Sequence, residues 1–179
     1  MSSPSTTRAH AGSTKIAVAL RSGHHHRALE LLLQDCQDGI FAYCARLVSI
    51  NDALAVYNQV LVVATEELAQ IDSKYPRAWL YQIAREVVLH HHHKVGVAGN
   101  ADASYLPVSA PLEEPRTKVA RAFAQLAPNM REVLQLALWH GLRMSEIASI
   151  VGLPVQEVRR LSVKGLLAVA ILSRDGAPS

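Results

Sequence analysis

The chain has 179 residues, half of them hydrophobic and only 5% aromatic, which suffices for one domain or two small ones with a real core. Its formal net charge of +3 hides an asymmetry: residues 1–114 carry nine Lys/Arg against eleven Asp/Glu, and residues 115–179 carry nine against four. A basic footprint suited to phosphate therefore sits in the C-terminal third, although a solvated basic face is the other reading of so modest an excess. Leu, Ala and Val dominate and Gly is sparse, which favours an all-α protein. No run of about 20 apolar residues is present, so no membrane span is expected. Cys36 and Cys44 lie eight residues apart, a rise of roughly 12 Å on a helix. That is too far for a disulfide, and they read as reduced core residues of a cytoplasmic protein.

Along the chain, residues 1–26 read as a disordered arm. A first helical domain is expected over 27–94. Its opening helix, roughly 27–48, places Leu29, Leu32, Leu33, Ile40, Phe41, Cys44 and Leu47 near helical spacing, with a possible kink at Gly39. A second helix, roughly 51–71, has Asn51 or Asp52 as its candidate N-cap and an apolar centre, ALAVYNQVLVVA. Pro76 suits the first turn of a third helix over 76–94, which turns Trp79, Leu80, Ile83, Val87 and Val88 inward. Residues 95–114, rich in Gly, Ala, Ser and Pro without a sustained period, form a flexible linker. The second domain spans 115–173, with a tail at 174–179. Within it lies a helix near 115–126, then one opened by Pro128, turning Met130, Val133, Leu134, Ala137 and Leu138 inward and closed by Gly141.

Residues 143–164, RMSEIASIVGLPVQEVRRLSVK, have the spacing of a helix-turn-helix. Ala148 falls where two helices pack closest, Gly152 where the turn needs a left-handed backbone, and Val158 at the inward anchor of the second helix. Ile147, Val151, Leu153 and Leu161 supply the other buried positions. The second helix then faces outward with Gln156, Arg159, Arg160 and Lys164, as a helix built for a DNA major groove would. A merely structural helical hairpin is the competing reading.

Two histidine runs, His24–His26 and His90–His93, complete the inventory. Neighbouring histidines on a helix fan out by about 100° each, so one run cannot wrap one metal. Convergence of the two runs in space would be needed, and no metal or other cofactor is assigned. No nucleophile–base set or Gly-rich phosphate loop is visible, and no enzymatic chemistry is expected.

Two stretches, YPRAWLYQIARE at 75–86 and LAPNMREVLQLALWHGLRMSEIASIVGLPVQEVRR at 126–160, are similar to the extracytoplasmic-function sigma factors of bacterial RNA polymerase. The resemblance in order and spacing extends over roughly 27–173. It implies a region-two-like domain that clamps polymerase core and opens the minus-ten element. It also implies a region-four-like domain whose last helix reads the minus-thirty-five element. Residues 76–94 would then meet minus-ten DNA, with Arg77 and Arg85 on broadly one side of the helix. Surface roles without DNA are equally open for each, and Trp79 divides between core and a stacking platform for an unpaired base. His90, His93 and Lys94 fall where the family places basic residues near the promoter. The family's second helix implies polymerase contact around Asp52, Asn58 and Gln59, and an anti-sigma or other regulatory protein is a further implied partner.

This chain departs from the family in informative places. The acidic string typical of the second helix is replaced by DALAVYNQ at 52–59, where Asp52 alone is charged, and charge-assisted bonds are roughly twice as strong as neutral ones. The recognition segment, EVRRLSVKGL at 157–166, has Leu161 and Leu166 where arginines are common, and Glu157 opposes phosphate. Arg143 stands where Ser often caps a helix. The run GLLAVAIL near the C-terminus is more apolar than a solvated helix end, and suits packing on the first domain, a partner or a second copy. Two readings follow: a transcription initiation protein that binds polymerase core and promoter DNA, or a degenerate sigma-like interaction module that does not itself direct promoter opening.

Overall fold

The computed structural model describes residues 14–72, 74–96 and 118–175, and all regular structure among them is helical. Helix α1 runs over residues 14–21. It is followed by α2 (His25–Leu47), α3 (Ile50–Glu66), a 3₁₀ turn (Leu68–Gln70), α4 (Pro76–Lys94), α5 (Lys118–Ala124), α6 (Pro128–Leu138), α7 (Met144–Val151) and α8 (Val155–Asp175). The expected arm is thus partly ordered. Residues 14–21 are helical, and Ile16, Ala19 and Leu20 are buried, because they supply an apolar edge for the same core. The segment expected as a linker lies, beyond Gly96, outside the described residues, as do residues 1–13 of the arm and residues 176–179 of the tail.

Helices α2, α3 and α4 pack on one another around Leu32, Ile40, Cys44, Leu47, Val56, Val60, Leu80 and Val88. Ser49, rather than Asn51 or Asp52, caps α3: its hydroxyl accepts from the Asp52 N–H at 3.2 Å, and it donates to the Asp52 carboxylate at 2.6 Å. The residue with the free extended backbone is the one that reaches the first-turn donors. Helix α2 runs unbroken through Gly39. A Cβ there would lie 2.8 Å from the Tyr81 hydroxyl, so the glycine permits close approach of α4. Both cysteines are free and buried; Cys36 Sγ donates to the Leu32 carbonyl at 2.9 Å, and burial pushes both thiols up to about 12.

In the second group, α8 packs on α5, α6 and α7. The buried face of α6 is the continuous stretch Glu132–Leu136, while Leu138, expected inside, is exposed. Helix α6 packs on α8 and α7 and also meets Arg85 of α4 through Glu132, so it is covered on more than one side, and a single apolar stripe no longer describes it. The two helical groups share one continuous core, which runs from Ile40 and Leu80 through Val133, Leu136 and Ile147 to Val158.

Candidate nucleic-acid interface

The helix-turn-helix is built as its spacing implies. Helix α7 ends at Gly152, which takes φ +69° and ψ 28°, a conformation costly for any residue with a Cβ. The Leu153 N–H then reaches back to the Ala148 carbonyl at 3.2 Å. Pro154 opens α8, its carbonyl accepting from the N–H groups of Glu157 and Val158. Ile147, Ala148, Ile150, Val158 and Leu161 are buried between the helices, whereas Val151 and Leu153 are half-buried. At the start of α7 the lost serine cap is replaced from within the helix. The Glu146 carboxylate accepts from the Arg143 backbone N–H at 2.9 Å and from its Nε at 3.2 Å.

This frame presents Gln156, Arg159, Arg160 and Lys164 on the exposed side of α8. Glu157 is half-buried and ties up Arg160, whose Nε donates to Oε2 at 2.7 Å while its Nη2 bonds Oε1. Those bonds hold the Glu157 carboxyl below its usual range. Arg159 is exposed beside that pair. Further along, Val163, Leu166, Leu167 and Ile171 remain exposed, so the apolar C-terminal run does not pack on the first group of helices.

Helix α4 is placed differently. Its Arg77, Tyr81, Gln82 and Arg85 face α6, α7 and the turn between them. Arg77 Nη2 donates to the His140 carbonyl at 3.0 Å, and the Tyr81 hydroxyl lies 3.0 Å from His140 Nδ1. Gln82 Nε2 donates to the Ser149 carbonyl at 2.7 Å. Arg85 Nε donates to Glu132 Oε1 at 2.6 Å and its Nη2 to Oε2 at 3.4 Å, with side chains only 12% and 1% exposed. Around this seam the rings of Tyr43, Tyr81 and His140 meet edge to face, with centroids 5.3–5.6 Å apart. Burial, reinforced by the nearby Arg46 and Arg77 charges, pushes His140 down to about 4. Arg46 itself stacks over Trp139 at 5.1 Å. Trp79 is buried.

At the far end of α4, His90, His93 and Lys94 are exposed, while His92 is buried. His91 Nε2 lies 3.5 Å from the Asp52 carboxylate, so Asp52 is engaged by both Ser49 and α4. Asn58 and Gln59 are exposed on α3, among Leu54, Ala55 and Val62. The two histidine runs do not converge. One opens α2, and the other ends α4 beside Asp52 on the first turn of α3, which follows the opposite end of α2, roughly 35 Å away by helix rise. No group of three or more His, Cys, Asp or Glu arranged for a metal occurs among the described residues. No helix there is long and apolar enough to cross a membrane.

The sequence reading missed Glu132, His140 and Ser149, which take the polar face of α4. The available signal was Glu132 standing directly before Val133 and Leu134, which the spacing turns inward: a carboxylate drawn into that face needs a cation nearby.

Residues 122–170 match the family Sigma-70, region 4. No curated protein matches the sequence. Among solved structures, the sigma factor RpoE of Bartonella quintana, in complex with the anti-sigma factor NepR, is similar at TM-score 0.62 and 17% identity, covering 83% of this chain and 98% of that one. CnrH, in complex with the cytosolic domain of CnrY, is similar at TM-score 0.63 and 20% identity, covering 92% and 99%. The PhyRSL–NepR complex of Sphingomonas sp. Fr1 gives TM-score 0.62 and 20% identity over 84% and 92%. Over residues 122–170 the C-terminal helices match sigma-70 region 4, and the chain as a whole has the fold of these sigma factors, as its resemblance to the extracytoplasmic-function family implies.

Proposed function

We propose that this chain is a sigma-type transcription initiation protein of the cytoplasm that binds RNA polymerase core and promoter DNA and performs no chemistry of its own. The observation that carries the reading is the exposed Gln156, Arg159, Arg160 and Lys164 face, held outward by a glycine corner inside a region 4 domain. Such a helix fits a major groove, where Arg and Gln side chains reach base edges and Lys meets phosphate. In this reading residues 115–173 take the minus-thirty-five element, residues 27–94 form the region-two-like domain, and residues 95–114 connect them. Arg77, Arg85, His90, His93 and Lys94 on α4 serve the minus-ten element, and the Asp52, Asn58 and Gln59 surface of α3 meets polymerase. A regulatory protein partner is supported by the RpoE neighbour, which is held by an anti-sigma factor.

A second reading has its own support: a protein-interaction module without promoter opening. The α3 surface is neutral and partly apolar at Leu54 and Val62, and α8 carries the uncovered Val163, Leu166, Leu167 and Ile171. Binding to purified core at moderate salt, followed by run-off transcription over genomic promoter fragments, separates the two. Initiation at discrete start sites supports the first reading. Failure to bind core removes it in favour of the second.

A further inference from the structure

The two arginines of α8 are neighbours in sequence but differ in what holds them. Arg160 Nε donates to Glu157 Oε2 at 2.7 Å and its Nη2 to Oε1, so the carboxylate takes one whole edge of the guanidinium. The group is planar and rigid. A clamp on that edge directs another, formed by Nη1 and the second Nη2 hydrogen, away from Glu157. Arg159 is exposed and enters no ion pair among the described residues. Helical geometry separates the pair again. Arg159 and Lys164 stand about 140° apart around the axis, as flanks that suit the two phosphate ridges of a groove, and Arg160 falls between them.

Charge decides between a phosphate and a base for Arg160. Paired with Glu157 it brings no net charge, and a phosphate diester would meet the carboxylate's repulsion along with the cation's attraction. Guanine presents neutral acceptors, O6 and N7, spaced for two N–H donors on one edge. A side chain already held in place also loses less freedom on docking. We infer that Arg160 is the guanine-reading residue of α8, with Glu157 as the positioning residue that aims it, while Arg159 and Lys164 grip phosphate without regard to sequence. The inference rests on the sigma-type reading of α8 and adds the origin of its specificity. Glu157 stands in the first turn of α8, where a carboxylate also suits the helix dipole. That placement alone leaves base preference untouched, so the two roles separate by experiment.

The test selects bound DNA from duplexes with a randomised central segment, using the full chain with and without polymerase core, and counts bases by sequencing. The parent should prefer guanine at one position by about tenfold. Arg160→Ala should abolish the preference at that position alone. Arg160→Lys, which keeps the charge but not the fork, should lose it too while the salt slope of binding stays. Glu157→Gln should weaken the preference several-fold while affinity for random sequence rises. Arg159→Ala should weaken every sequence alike, with a slope shallower by about one unit. No guanine preference in a parent that binds, preference kept in full by Arg160→Ala, or preference lost instead in Arg159→Ala would overturn the assignment. An unchanged preference in Glu157→Gln would overturn the positioning role. A parent that binds no duplex, alone or with core, would overturn the sigma-type reading itself, and the assignment with it.

Discussion

Helices α4 and α8 both carry pairs of arginines that a reading of the sequence directs at DNA, and the fold treats them in opposite ways. On α8, Arg159 and Arg160 stand in solvent, opposed only by the neighbouring Glu157. On α4, Arg77 and Arg85 are turned against the C-terminal helices, where Arg77 donates to the His140 carbonyl and Arg85 is neutralised by a carboxylate that solvent barely reaches. A cation's availability is set by what packs beside it as much as by its place on a helix. Two basic surfaces of one protein can accordingly differ in how far they are open to a partner.

The comparison breaks most sharply at Glu132. Glu132→Ala should remove the buried counter-charge of Arg85 and lower the stability of the fold by about 3 kcal/mol, read by thermal or denaturant unfolding. A loss under about 1 kcal/mol would mean that the pair is solvated in practice. Next comes the exposed pair. Arg159→Ala with Arg160→Ala should reduce the salt slope of DNA binding by about two units, with most of the loss traced to Arg159 because Arg160 is shared with Glu157. An unchanged binding curve would show that α8 does not touch the duplex.

Acidity sharpens the comparison further. His140 is held neutral in the seam, with its pKa at about 4, by burial and by Arg46 of α2 and Arg77 of α4; the Tyr81 hydroxyl and the edge-to-face ring of Tyr43 also face it. A histidine depressed in the folded chain stabilises the fold fully above its ordinary pKa near 6.5. The contribution fades as pH falls from there toward 4, because the unfolded chain takes up the proton first. Lowering pH from 7.5 to 5.5 should cost about 1.4 kcal/mol of stability through His140, read by denaturant unfolding, and His140→Gln should flatten that profile. A pH response retained in full by the variant would place the titrating group elsewhere. The smallest effect is expected at Glu157→Gln, which releases Arg160 to solvent and should steepen the salt slope of DNA binding by at most about one unit. A shallower slope would show that Glu157 positions Arg160 for phosphate.

Much of the fold was legible in local patterns. Pro76 opening α4, Pro128 opening α6, and the Ala148–Gly152–Val158 corner are short-range devices, and each sits where its own backbone chemistry requires. What the pattern could not supply was long-range. Tyr81 is buried on a side of α4 that the amphipathic spacing did not assign to the core, because Tyr43 of α2 and His140, which follows α6, cover it. Gly39 looks like a helix defect until the Tyr81 hydroxyl is found against it. Ile16 and Leu20 sit in a segment too short to announce itself, yet they find core. The α8 surface was readable because nothing folds over it. The fate of the α4 arginines was not, because their partners lie 63 residues away for Arg77 and 47 for Arg85.

The central claim, that α8 enters promoter DNA, is tested most directly by tethering an iron chelate to Gln156→Cys, on the exposed first turn of α8, and mapping hydroxyl-radical cleavage in the complex with polymerase core and a promoter fragment. The account predicts a compact cluster of cuts within one major groove about 35 base pairs upstream of the start site. Cleavage absent there while core remains bound, or scattered without position, would contradict it.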